Sequence, residues 1–390
     1  MYTKRLLKLI ICSLFFLQSY AQVKESTVDV DIHSLSLYNA AQWKELIAYG
    51  KDKIGSGIDF PLLRMRIGYA AFMLGNYSQS LIQYKKVYNA EPTNETALYY
   101  VYLNNLYLNN INEARYYVTQ MSKVAQKNLG VKKKKLESVE TEFSYKSTTS
   151  SFRNDAQYYR LGFNTQLGYR IALQQSGAMY NQIISETLMP TTVTNRTNIN
   201  IQQKEYYGKL NLALTGKINL FGGYHYLYTP FNNLIYRNDV AFGGIKYTAP
   251  YFHIKAMATN ATITNKNYTQ YDASLALYPL GNTSFYTISK ASYNNSFIFT
   301  QVAGFKAAKN IWLEGNVTIG EYDNLIDNDG LYVYNDIDKK QFKAGGSIYA
   351  LLSKHLLLTL NYNFEQKLKY STTNNNFYQH STTGGLQWKF

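Results

Sequence analysis

Cysteine is almost missing from this chain: there is one in 390 residues, Cys12, inside an N-terminal apolar segment. Lipidation of Cys12 would call for a small residue before it, where Ile11 stands, so no lipid anchor is expected. Once that segment is removed no thiol remains, which excludes disulfides and thiol catalysis and argues against zinc or iron–sulfur sites. Proline is scarce, at 6 residues, and only 17% of residues are charged. After Leu17 no run of 18 apolar residues occurs, so a membrane-spanning helix is not expected. Any span must then be a closed barrel, since every backbone N–H and C=O has to be paired inside the hydrocarbon.

What is present begins with an export signal. Lys4, Arg5 and Lys8 precede the apolar run Leu9 to Leu17 and the small-residue pattern Ser19-Tyr20-Ala21. This is the order of a secretory signal peptide, residues 1–21, with cleavage expected before Gln22. The chain carries 40 Lys and Arg against 25 Asp and Glu, a net charge of +15, and 39 tyrosines. Export makes nucleic acid an implausible partner for this charge, and a solvated or headgroup-facing basic surface is the plainer reading. Lys132, Lys133, Lys134 and Lys135 form a basic run within a linker, 131–137. Beside an anionic membrane surface each such residue would contribute about 1 kcal/mol, so contact with lipid headgroups is expected there, with a plain linker as the alternative.

Residues 22–130 read as helical. From Pro61 to Pro92 the sequence PLLRMRIGYAAFMLGNYSQSLIQYKKVYNAEP resembles the tetratricopeptide repeat. The packing positions of that family fall on Gly68, Ala71, Phe72, Gly75, Tyr77, Tyr84, Val87 and Pro92, and Ser80 departs from its usual Ala. A second unit from Glu95 to about Gln126 keeps Ala97, Leu106, Ala114 and Met121, with Asn109 replacing the turn glycine and Tyr102 the small packing residue. A degenerate first unit is expected around Ala41 to Ile54. The resemblance implies a stacked array whose concave face binds a peptide or protein, or else a spacer that orients the C-terminal region.

After Lys135 the periodicity changes to alternation of two. Leu356, Leu358, Leu360, Tyr362 and Phe364 alternate with Thr359, Asn361, Asn363 and Glu365, the lipid-out, lumen-in pattern of a transmembrane barrel. Segments of about 9 to 14 residues suit tilted spanning strands better than the shorter strands of a sandwich. Fourteen such strands fit within 138–390, with 12 to 16 open, and the links 183–201, 229–238, 323–339 and 370–377 read as long external loops. Tyr224, Tyr226, Tyr228, Tyr247, Tyr251 and Tyr278 are expected in aromatic girdles at the rims. The ending HSTTGGLQWKF places Leu386, Trp388 and Phe390 on the lipid face and resembles the terminal signal read by barrel-assembly machinery.

Chemistry-bearing motifs are sparse. The five histidines, His33, His225, His253, His355 and His380, show no metal-ligand spacing, and no G-x-S-x-G, H-E-x-x-H or phosphate loop occurs. The run from Asp323 to Asp338 holds five aspartates but departs from a calcium loop in its first and last ligand positions, so a solvated external loop is expected. No catalytic, cofactor-binding or metal residue is therefore nominated, and an enzyme, such as a lipid-modifying one, is the least favoured class.

The expected fold is α+β multidomain: helical repeats followed by an antiparallel transmembrane barrel. The architecture resembles exopolysaccharide export porins, which implies an outer-membrane channel for a polymer or solute with its repeats in the periplasm. The alternative is a non-conducting scaffold that recruits a periplasmic or secretion-system partner. Outer-membrane lipid and the assembly machinery are the expected contacts in either case.

Overall fold

A computed structural model describes residues 25–131, 135–151, 153–187, 196–231, 234–368 and 376–390. The expected signal peptide and Lys132, Lys133 and Lys134 lie outside the described residues, and Lys135 is exposed.

Seven helices come first: α1 (Thr27–Asn39), α2 (Trp43–Gly55), α3 (Pro61–Met73), α4 (Tyr77–Ala90), α5 (Glu95–Tyr107), α6 (Ile111–Val118) and α7 (Lys123–Asn128). Local sequence sets their ends. Ser26 and Asp29 form a capping box ahead of α1, Pro61 stands in the first turn of α3, and Asn76, Asn94 and Ser122 accept from backbone N–H groups of α4, α5 and α7, satisfying donors that have no partner inside the helix. The turns after α3 and α5 use Gly75 at φ +74° and Asn109 at φ +58°. Asn fills the glycine's place because it tolerates the left-handed region better than most residues.

Consecutive helices pack as hairpins around Leu81, Tyr84, Val87, Ala97, Leu98 and Val101. Gly68 lies where α3 and α4 approach most closely, and a Cβ there would sit 2.8 Å from the Tyr84 ring. Ala71, Tyr84 and Val87 are buried, Phe72, Gly75 and Tyr77 are half-buried, and Pro92 is exposed. Helix α1, which lies ahead of the repeat units read from sequence, packs Val30 against Leu63 and Ile67.

Fourteen antiparallel strands then close into one barrel in sequence order, β14 returning to β1. They are β1 (Leu136–Thr148), β2 (Arg153–Gln166), β3 (Ile171–Thr187), β4 (Arg196–Ala213), β5 (Ile218–Phe231), β6 (Leu234–Thr248), β7 (Phe252–Ile263), β8 (Lys266–Leu277), β9 (Phe285–Asn294), β10 (Ser296–Ala308), β11 (Ile311–Asp327), β12 (Tyr332–Leu351), β13 (Leu356–Leu368) and β14 (Asn376–Lys389). The closing register runs from Ser138↔Lys389 to Thr148↔Gln379. Alternation assigns the faces. Leu360, Tyr362, Leu386, Trp388 and Phe390 are 45–48% exposed and face outward, while Thr383 and Gln387 bond inward to Ser144 and Ser138. An outward apolar belt of this extent needs an apolar surrounding.

Three of the expected long loops are strand instead in their described residues. Strands β3 and β4 reach into 183–201, pairing as far as Thr187↔Arg196, and β5 and β6 reach into 229–238, pairing as far as Phe231↔Leu234. The stretch 323–339 is a paired hairpin, Asn324↔Asn335 to Asp327↔Tyr332, set off from the wall by register shifts between Ile319 and Asn324. Within the expected girdle, Tyr224 and Tyr247 are exposed, but Tyr251 reaches the helices through Asn76 and Tyr278 packs on His253.

Candidate functional site

Inward-facing residues of a barrel are normally polar, yet β5, β6 and β7 turn Phe221, Leu227, Val240, Phe242, Met257 and Ala261 to the interior, all 8% exposed or less. Their cover is the tip of the β11–β12 hairpin. Ile326 packs on Leu227, Val240, Ala261 and Ile263, and Leu331 on Tyr207, Phe221, Phe242 and Met257. The turn Asn328-Asp329-Gly330 has φ of +49°, +55° and +80°. Gly330 is needed both for that conformation and for space, since a Cβ would lie 2.4 Å from the Phe242 ring. The aspartate-rich segment is therefore not a solvated external loop: it crosses the lumen.

Polar contacts complete the attachment. Asp329 pairs with Lys209 at 2.7 Å and Lys255 at 2.5 Å, and Asp327 with Lys290 at 2.9 Å. The Tyr207 hydroxyl donates to the Asp329 carbonyl at 3.0 Å, and His225 Nδ1 lies 2.7 Å from the Gly330 carbonyl. Gln270 bonds both backbone groups of Ile326, accepting from its N–H at 3.0 Å and donating to its C=O at 2.6 Å. The Tyr332 hydroxyl donates to Glu142 at 2.8 Å. On the returning limb Asp338 pairs with Arg153 at 2.7 Å, Lys367 with Asp336 at 3.3 Å, and Lys340 with Asp336. Charges of both signs are nearly all compensated, as buried charges must be.

The hairpin leaves a cavity of about 920 Å³ beside it. Its walls come chiefly from β1, β2 and β11 to β14, and they carry Glu140, Lys146, Arg160, Asn316, Asn361 and Gln387. Lining residues reach both rims, with Leu357 and Gln387 near the helical end and Thr264 and Phe377 near the other.

The helices dock on the barrel end formed by the short turns. Ser78 N–H donates to Gly281 O at 3.0 Å and Asn282 Nδ2 to Gly75 O at 2.9 Å. Glu113 of α6, 1% exposed, accepts from inward-facing Asn219 at 2.5 Å and from Thr248. Arg115 pairs with Glu137, and Arg170 lies over the Tyr116 ring at 5.0 Å. These partners belong to an arc of the rim from β1 to β9, so the helices cover one side of the mouth.

At this interface Lys85 stands 3.4 Å from Gly216 O and over the Tyr117 ring. Burial, helped by Lys217, pushes its pKa down to about 8. The docked state then holds fewer protons than the undocked state between about pH 8 and the ordinary Lys value of about 10.4. Docking is expected to strengthen as pH rises through that window and to carry the full penalty below it. Thermal melting of the helices, followed by circular dichroism between pH 7 and 10, should show the rise in wild type and a flatter profile in Lys85→Met. Identical profiles would sink this assignment.

None of the nominated residues gathers into one site: the repeat positions stay in the helices, and Leu386, Trp388 and Phe390 stay on the outer face. The lumenal cluster around Asp329, including the 1%-exposed His225, is absent from the sequence expectations. Large apolar residues on the normally polar inward face of β5 to β7, among them Phe221, Leu227, Phe242 and Met257, are its one sequence signal.

No protein-family model matches the chain, and no curated protein matches it. Among solved structures it is similar to CymD, a monoaromatic hydrocarbon channel, at 8% identity over 73% of this chain and 94% of that one, TM-score 0.46. It is also similar to the toluene transporter TodX of Pseudomonas putida, at 7% identity over 66% and 90%, TM-score 0.45. The translocator domain of autotransporter NalP from Neisseria meningitidis gives 9% identity over 73% and 99%, TM-score 0.33. These likenesses add nothing to the closed ring already described and convey no substrate.

Proposed function

We propose that this protein is an outer-membrane channel for a polar solute or polymer, narrowed by its own hairpin and carrying its helices on the periplasmic side. The observation that carries the reading is the cavity that reaches from rim to rim, where charged and amide side chains such as Glu140, Lys146, Arg160, Asn316, Asn361 and Gln387 stand among tyrosines and aliphatic residues. A fourteen-stranded barrel is wider than the eight-stranded kind that its own side chains fill, so the hairpin, rather than the wall, sets the bore. The outward apolar belt and the terminal Leu386, Trp388 and Phe390 support placement in an outer membrane. The helices would then lie on the periplasmic side, because they dock where the short turns are. Purified protein in planar bilayers is expected to give discrete single-channel steps in potassium chloride. Their absence, both in wild type and after removal of the hairpin, would favour the non-conducting scaffold, for which the tightly held hairpin is the supporting observation.

A further inference from the structure

Strand direction sorts the charges of the cavity wall by depth. β1 runs away from the helices, so its Glu140 and Glu142 lie nearer the helical end and its Lys146 nearer the outer end. β11 places Glu314 toward the helical end, and β12, running back, places Lys343 toward the outer end.

At the helical end carboxylates are in excess. One guanidinium, that of Arg160, serves both Glu140 at 3.4 Å and Glu142 at 2.9 Å. Glu314 is in no ion pair among the described residues; it accepts from the hydroxyls of Tyr286 at 2.7 Å and Tyr349 at 3.4 Å, and both donors are neutral. At the outer end the excess reverses. Arg153, Lys340 and Lys367 are matched to Asp338, Asp336 and Glu365, which leaves Lys146 and Lys343. Lys343 donates to the Tyr334 hydroxyl at 2.8 Å, and Lys146 lies over the Tyr180 ring at 5.3 Å. Neither ammonium is ion-paired among the described residues, and the two lie within electrostatic reach of each other. Half-buried charge without a counter-ion is unfavourable, and a solute carrying both missing signs would relieve both ends at once.

Register gives the length of that solute. Glu314 stands opposite Ser347, and Lys343 is four residues farther toward the outer end of β12, a span of about 13 Å at about 3.3 Å per residue. The wall between them is neutral and polar, with Asn316, Thr318, Ser347 and Asn361 lining the cavity. The Asn316 amide makes no hydrogen bond among the described residues, so both its donor and its acceptor are free. The complement is a molecule with an ammonium at one end, a carboxylate at the other and amides between. A free amino acid is too short to reach both ends, and a simple anion or cation would meet only one. An extended peptide covers at most about 3.3–3.6 Å per residue, so about four residues fill the span. We propose that the cavity binds a short zwitterionic peptide, its ammonium at Glu314 and its carboxylate between Lys343 and Lys146. Passage of the peptide rests on the channel reading; binding does not.

The test is calorimetric titration of the full chain in nanodiscs with tetra-alanine, and with the same peptide N-acetylated, C-amidated or capped at both ends. Saturable binding of the free peptide is expected, and each cap should weaken it about tenfold, the loss of one charge-assisted contact. Glu314→Gln should bind the free and N-acetylated peptides alike while still discriminating against C-amidation. Lys146→Gln with Lys343→Gln should show the reverse preference, and heat-modifiable mobility checks that each barrel has closed. No saturable heat, equal affinity of wild type for the free and doubly capped peptides, or peptide binding that both variants leave unchanged overturns the proposal. The comparison of caps on wild type needs no substitution, so it decides even where a variant does not fold. Conductance recorded without peptide separates the two readings: steps without peptide binding sink this inference alone, and binding without steps sinks the channel alone.

Discussion

A barrel carrying Asp327→Ala together with Asp329→Ala is expected to conduct several-fold more current than wild type and to favour anions. The two carboxylates hold the hairpin tip to Lys209, Lys255 and Lys290 on three separate strands. Removing one side of a buried ion pair typically costs about 3–5 kcal/mol, because the partner charge stays behind without compensation. Here the cost falls on the hairpin-in state. Once the hairpin swings out, the three ammonium groups regain water. Lys290 keeps Asp272 at 3.2 Å, but Lys209 and Lys255 lose their carboxylate and leave a local excess of positive charge in the bore, which is why selectivity should shift along with conductance. Ile326 and Leu331 would still favour the inserted state through their apolar contacts, so deletion of 324–335 is the stronger companion variant. The barrel wall should tolerate both, since its ladder from β10 to β11 is complete without the tip. Unchanged conductance and ion preference in both variants, with normally folded protein, would mean that the hairpin is not the constriction.

The barrel is legible from period and length. Alternation holds wherever one face meets lipid and the other water, as in β13 and β14, and there the fourteen segments read from sequence overlap the fourteen strands. The hairpin is not legible, because aspartates, asparagines and a glycine look the same in a solvated loop as in a tip whose charges are paired across a lumen. Asp329 finds Lys209 and Lys255 at separations of 120 and 74 residues, which no local pattern encodes. Tyr278 departs from the expected girdle for a related reason: composition says that a tyrosine suits a rim, and only register says which way it points. Glu113 is the same problem in a helix. Its position in α6 looks like a solvated face until the rim supplies Asn219 and Thr248.

Gly68→Leu is expected to unfold the helical array while the barrel inserts and closes normally. A Cβ at this position would already stand 2.8 and 2.9 Å from Tyr84 ring atoms and 3.3 Å from Gln83. The Tyr84 ring has no free direction, being 2% exposed and stacked on Tyr100 at 4.5 Å. Forcing larger side chains into packed space costs about 1–3 kcal/mol, and three further carbons beyond Cβ put this case at the upper end. Stacked helical units share their stability through neighbouring contacts, so the loss should spread from the α3–α4 hairpin to α5 and α6. Helix α6 carries Glu113 and Arg115 onto the rim, so undocking should accompany it. The barrel has its own closed ladder, including the β1–β14 seam, and needs none of these contacts to pair its strands. Limited proteolysis should therefore trim the variant to a heat-modifiable barrel fragment, where wild type resists cleavage between α3 and α6. A variant as resistant as wild type would show that the glycine is not required at this crossing. Loss of the barrel itself would show that the two regions do not fold separately.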